Sequence, residues 1–176
     1  SFQDVKVIAY PSVDARAKRL NNSNTTLTSQ PALAGLDSLL DGNHQSALVF
    51  TKKYDQPINI DFHTGKPFTL RSLKVFATHK NIQGRARLLV KDGNTYRVLA
   101  DEFLVNRYNS NPNVGFDPYA PIVISIPATT ATDFRLELKN ITEGVGIAET
   151  EFSSVPYIER YPEKTLAKMF QAPHPL

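Results

Sequence analysis

Apolar and polar residues alternate along most of the chain. Val5, Val7 and Ala9 share a face at a period of two, as do Ile58, Ile60 and Phe62, then Leu73, Val75 and Ala77. Such alternation predicts strands with one buried face. Leu88 and Val90 lead into Asp92-Gly93-Asn94, and Tyr96, Val98 and Ala100 lead out of it. Asp-Gly between two alternating runs predicts a hairpin, because glycine accepts the positive φ that suits strand twist. Ile122, Ile124 and Ile126 make a further run. Phe134, Leu136 and Leu138 interleave with Arg135, Glu137 and Lys139, which predicts one dry face and one wet face. Ala148, Thr150 and Phe152 close the series.

Helical spacing is scarce. Leu33, Leu36, Leu39 and Leu40 predict one or two turns between Pro31 and Leu40. Pro162 to Phe170 predicts a second short helix, with Pro162 at its first position and Leu166, Met169 and Phe170 on one stripe. So short a helix is marginal alone and is expected to dock. Asn21 to Gln30 and Arg107 to Pro121 read as loops. The second carries Tyr108, Phe116 and Tyr119 and is long enough to be functional or packed down. About eight strands with almost no helix between them predict an all-β, antiparallel sandwich or jelly roll with short peripheral helices, not an α/β fold. Residues 1–160 are assigned to the sandwich and 161–176 to a short helix and linker toward a downstream domain. The Ser1 start and the Pro-rich end are expected of a piece of a longer polypeptide.

Composition narrows the function classes. The chain has 176 residues, 41% hydrophobic and 21% charged, which fits one globular domain. Lys and Arg exceed Asp and Glu by 20 − 17 = 3, without the basic cluster that follows a phosphate backbone, so no nucleic-acid partner is expected. No apolar run approaches the roughly 20 residues of a membrane span. Cysteine is absent, which removes disulfides and thiolate metal sites. His44, His63, His79 and His174 lack metal-ligand spacing and read as loop or surface residues. No nucleophile elbow, phosphate-cradling glycine loop or His-Glu-x-x-His motif occurs. Asp101-Glu102 and the Glu149/Glu151 pair are expected to face solvent. The fragment therefore reads as non-catalytic, and as a monomer.

One constellation stands apart. Leu39-Leu40-Asp41-Gly42-Asn43-His44-Gln45-Ser46-Ala47-Leu48 precedes the main strand region, and Ala148-Glu149-Thr150-Glu151-Phe152 lies in its last strand. Together with Ile58-Asn59-Ile60-Asp61-Phe62 and Leu70-Arg71-Ser72-Leu73-Lys74-Val75, in that order, the set resembles the galactose-binding-like sandwich, the discoidin or coagulation-factor type C fold. That resemblance implies a structural calcium held by the Leu39 carbonyl, Asp41, Asn43, Ser46 and Glu149. Hard oxygen donors around a tight turn suit that ion. The family usually carries Thr and an aromatic where this chain has Ser46 and Leu48. The residues by themselves also allow a plain turn, with Asp41 capping local amides.

The flanks, Val5 to Pro11 and Tyr157 to Phe170, are similar to segments of large bacterial glycoside hydrolases of the rhamnosidase type. This implies a secreted or periplasmic parent enzyme, with carbohydrate or the neighbouring catalytic domain as partner. Sugar recognition needs an aromatic face for C–H surface and polar groups for hydroxyls. Trp is absent, so Tyr and Phe must serve. The resemblance places ligands at the end loops, whose candidates are Arg71, His79, Asn81, Arg107, Tyr108, Phe116 and Tyr119, with Lys52, Lys53 and Tyr54 nearby. Three functions stay open: an accessory module that binds glycan weakly or supports its catalytic neighbour, a purely structural or protein-interaction sandwich, and, behind both, a hydrolase in its own right.

Overall fold

The computed structural model describes residues 16–108, 114–115, 117, 119–164 and 168–169. The first alternating run, at Val5 to Ala9, and His174 lie outside them. The strands are β1 (Thr26–Gln30), β2 (Leu48–Val49), β3 (Ile58–Ala77), β4 (Arg85–Asp92), β5 (Thr95–Leu104), β6 (Val114–Gly115), β7 (Ile122–Lys139), β8 (Gly146–Ser153) and β9 (Lys168–Met169). The sheet order is β2-β8-β3-β7-β4-β5, with β1 also on β3, and all these pairs are antiparallel.

Two long strands build both layers. β3 has 20 residues and β7 has 18, and they pair along nearly their whole length. Their register shifts between His63 and Phe68, and again between Leu70 and Ser72. Extra residues on one side of a ladder bend it. Beyond the bend, the first half of β3 pairs with β1, and its second half pairs with β8. The ribbon thus folds back on itself. One layer holds β1, the first half of β3, the second half of β7, β4 and β5. The other holds β2, β8, the second half of β3 and the first half of β7.

The alternating residues face each other across the gap. Ile58, Ile60, Phe62, Phe134, Leu136 and Leu138 line one layer, and Leu73, Val75, Ile124 and Phe152 line the other, all at most 5% exposed. The Phe62 and Phe152 rings lie 4.4 Å apart by centroid, and Phe134 and Phe152 6.1 Å apart, both tilted. These are the separations at which aromatic pairs add to plain burial. Asp92-Gly93-Asn94 forms the expected hairpin: Asp92 pairs with Thr95, and Gly93 has φ +60°. Gly146 meets a demand invisible in the pattern. A Cβ there would run into the Leu48 carbonyl, so β2 packs against β8 only because that residue is glycine.

The short turn expected before Asp41 is present, and two other expectations need correction. Leu36–Leu39 forms a single 3-10 turn, and the only α-helical turn among the described residues is α1 (Tyr161–Lys164). The predicted helix over Pro162 to Phe170 does not continue: Lys168–Met169 pairs with Val114–Gly115 as a strand, so strand pairing overrides weak helical spacing. Tyr96 and Val98 turn outward on the edge strand β5, where Val98 stays 39% exposed, because the hairpin register sets them opposite Lys91 and Leu89 and not opposite the inward-facing Val90 and Leu88.

Phe152 packs the second layer onto Phe62 and Phe134 of the first. Phe152→Ala is expected to lower unfolding free energy by about 3–5 kcal/mol, as for large-to-small changes at buried aromatics. Urea unfolding followed by circular dichroism measures it, and a loss below about 1 kcal/mol would contradict the two-layer account.

Candidate functional site

The Asp41 turn and the last strand come together as the sequence pattern anticipates. The 3-10 turn ends at Leu39, whose carbonyl accepts the fully buried Thr150 hydroxyl at 2.9 Å. This bond aligns the following turn with β8. Asp41 then caps its own turn: Oδ1 accepts the Asn43 amide at 2.7 Å, and Oδ2 accepts the Ser46 hydroxyl at 2.6 Å. The Ser46 hydroxyl also lies 2.8 Å from the Asn43 carbonyl. The Gly42 amide donates to Glu149 Oε2 at 2.8 Å, which links the two carboxyl groups through one peptide.

Glu149 corrects the expectation of a solvent-facing carboxylate, since only 4% of it is exposed. The turn covers it from outside the sheet. Burial pushes its pKa up to about 7, and the charge of Asp41 adds to the rise, while the Gly42 amide opposes it. Two acidic groups, a hydroxyl and backbone carbonyls thus gather beside a cavity of about 300 Å³ lined by Asp41, Gly42, His44 and Glu149. Among the described residues no three His, Cys, Asp or Glu side chains converge. Any metal here would have to be a hard, oxygen-loving cation drawing on carbonyl and hydroxyl oxygens as well as the two carboxylates. The residues fit calcium in that sense.

Neighbouring charges are also more buried than alternation suggests. Lys74 is only 9% exposed, its ammonium 3.2 Å from Glu151 and 3.9 Å from the centre of the Tyr157 ring. Arg19 approaches Glu151 at 3.4 Å. The segments before β1 and after β8 therefore cover the outer face of the second layer. His44 stacks near Phe76, with centroids 4.3 Å apart. No local signal marks these burials, because the covering segments are distant in sequence.

The end loops gather most of the remaining candidates. Ile82 and Arg107 exchange backbone hydrogen bonds of 2.8 and 3.0 Å, which joins the loop of His79 and Asn81 to that of Arg107 and Tyr108. The His79 and Tyr119 rings stack at 3.8 Å with 26° between planes. Tyr108 and Tyr119 are 49% and 40% exposed. Arg107 is only 5% exposed, so its position is structural. Its guanidinium donates to the carbonyls of Ala120, Asn106 and Pro121 at 2.6, 2.8 and 2.7 Å and to Glu163 at 3.1 Å. Desolvation lowers its pKa, and Glu163 opposes that. It clasps the loop that carries Tyr119, with its donors turned into the protein. Lys52 stands 5.6 Å over the half-buried Tyr54 ring.

Arg71 does not join this group. It sits at the bend of the ribbon, between the pairs Leu70–Thr129 and Ser72–Ser125, whereas His79 follows the far end of β3. Phe116 lies outside the described residues.

No family model and no curated protein matches the sequence. Solved structures do match its fold. The family 32 carbohydrate-binding module of NanJ from C. perfringens, determined with galactose, superposes with a TM-score of 0.58 at 14% identity, over 78% of this chain and 98% of that one. The family 32 module of AlyQ, in complex with 4,5-unsaturated mannuronic acid, gives 0.54 at 17% identity, over 72% and 92%. Truncated AlyQ with its module and alginate lyase domains gives 0.57 at 16% identity, over 81% of this chain and 34% of that one. The chain thus shares the β-sandwich fold of these modules. No helix among the described residues is long and apolar enough to cross a membrane.

Glu149 makes the metal-free protein sensitive to pH. Its folded pKa of about 7 exceeds the ordinary 4.5, so the folded state keeps a proton that the unfolded chain has released between those values. The resulting stability is complete below about 4.5 and is lost as pH rises through about 7. With divalent cations chelated, the melting temperature is expected to fall between pH 5 and 8, and Glu149→Gln to flatten that fall. An unchanged slope in the variant would assign the effect elsewhere.

Proposed function

We propose that this chain is a non-catalytic carbohydrate-binding module that meets glycan at the His79 end and serves as an accessory to a catalytic domain. The observation that carries this reading is the stacked, solvent-facing His79–Tyr119 pair, fixed from behind by the Arg107 clasp. An aromatic face held rigid offers C–H surface contact at little ordering cost. Asn81 and Tyr108, with Phe116, complete the proposed binding residues; Arg71 belongs to the other end. The modules of NanJ and AlyQ, which share the fold, were determined with sugars bound.

The flanking resemblance supports a multidomain glycoside hydrolase of the rhamnosidase type as parent, acting in the periplasm or outside the cell. Calcium is the proposed ion for Asp41, Glu149, Ser46, Asn43 and the Leu39 carbonyl. Bound there it would neutralise the two carboxylates and fix the turn on β8. A second reading, docking to a neighbouring domain, draws on Ile158 and Tyr161, which are 67% and 38% exposed on the segment after β8.

Titration calorimetry with galactose-, rhamnose- and uronate-type sugars tests the first reading. Saturable binding that falls at least about tenfold in Tyr119→Ala, with the melting temperature kept, is the expected result. No binding of any sugar would sink it in favour of docking. Calcium added to chelator-stripped protein is expected to release or absorb heat and raise the melting temperature, and Asp41→Asn to abolish both effects. The absence of either change in the parent protein would remove the metal.

A further inference from the structure

A further cavity lies away from the His79 loops. It has a volume of about 560 Å³, within the range that takes small ligands, and sits at the bend of the β3–β7 ribbon. One wall is the loop before β1, at Asn22, Ser23, Asn24 and Thr25. The other is the bend itself, from His63 to Phe68. Leu20, 5% exposed, and the half-buried Phe68 supply apolar surface between them.

Both walls are already ordered. The Asn21 amide donates to Asn24 Oδ1 at 3.0 Å, the Ser23 amide to Asn21 Oδ1 at 2.9 Å, and the Thr25 hydroxyl to Asn24 Oδ1 at 2.7 Å. Asn22 and Asn24 donate to the carbonyls of Asp37 and Arg19. On the opposite wall the buried Thr64 hydroxyl bonds the Thr132 carbonyl at 3.2 Å. A cleft whose walls need no rearrangement loses little entropy when filled.

Its own lining carries a lysine and no carboxylate. Behind His63, the Asp133 carboxylate accepts the Thr132 hydroxyl at 2.6 Å and meets His63 Nδ1 at 2.8 Å, contacts that pull its pKa down against its partial burial and keep it charged. Lys66 is exposed at the rim and makes no ion pair among the described residues. The cleft thus combines hydroxyl and amide groups, a patch of apolar surface and a lysine that makes no ion pair among the described residues. Hydroxyls and C–H faces alone suit any sugar; the cation selects one that carries a negative charge.

We infer that the bend cleft is a second saccharide site, separate from the His79 loops, and that it takes a hexuronate, with Lys66 meeting the sugar carboxylate. The ring lies against Phe68, and Ser23, Asn24 and Thr26 face its hydroxyls. Nothing in this assignment depends on the His79 loops binding sugar.

Trigalacturonate and its uncharged methyl ester are the probes. Binding is followed by calorimetry at low salt and by backbone amide shifts in the whole chain. The trigalacturonate is expected to bind saturably, shift residues 22–26 and 64–68, and bind about tenfold more weakly as the ester or to Lys66→Glu. Lys66 is exposed, so the variant is expected to keep its melting temperature. Tyr119→Ala is expected to leave this binding unchanged. Equal affinity for acid and ester, undiminished binding to Lys66→Glu, or loss in Tyr119→Ala would overturn the assignment. Trigalacturonate binding without any sugar at the His79 loops would uphold this site and refute the other.

Discussion

The folded-over β3–β7 ribbon governs the molecule. Because the same two strands run through both layers, the layers cannot separate without breaking the ladder that makes each of them. Phe152 closes the fold from the second layer onto Phe62 and Phe134 of the first. Everything functional hangs from this frame. The bend defines one end of the sandwich, and the opposite ends of the long strands carry the loops of His79, Arg107 and Tyr119.

A different kind of order holds the edges. Buried ions and polar clasps do there what apolar packing does in the centre. Arg107 satisfies the carbonyls of Ala120 and Pro121, and Thr150 satisfies that of Leu39. On the outer face of the first layer, Asp61 takes two bonds from Arg135, at 2.6 and 2.8 Å, and one from Tyr96 at 3.1 Å. Arg135 also lies 3.9 Å over the Tyr96 ring. Such groups fix geometry because a buried donor or acceptor without its partner is costly. They contribute to the shape of the loops more than to raw stability.

Local patterns carried much of this architecture. The period-two runs at Ile58–Phe62, Leu73–Ala77 and Phe134–Leu138 mark the inward faces, and Asp92-Gly93-Asn94 marks the tightest turn, since both depend on neighbours in sequence. The pairing of Asp41 with Glu149 was legible only through an ordered set of motifs. What stayed hidden depends on distant contacts. Alternation continues on both sides of the bend, so it does not reveal that β3 and β7 serve two layers, nor that Arg71 stands at the wrong end for His79. Glu149 and Lys74 occupy outward positions in the pattern and are buried by segments far along the chain. The bend cleft is formed by two stretches, around Asn24 and Lys66, that read separately as unremarkable polar residues.

The Arg107 clasp has a mechanical consequence. Its guanidinium grips both the loop of Tyr119 and, through Glu163, the stretch that leaves the sandwich after β8. That stretch is pinned again where the Arg160 amide meets the Val123 carbonyl at 2.9 Å. A displacement of the segment around Glu163 is therefore felt by the loop of Tyr119 as well as by β7. The exit segment and the aromatic rim are thus mechanically joined, at a point that apolar packing alone would leave loose.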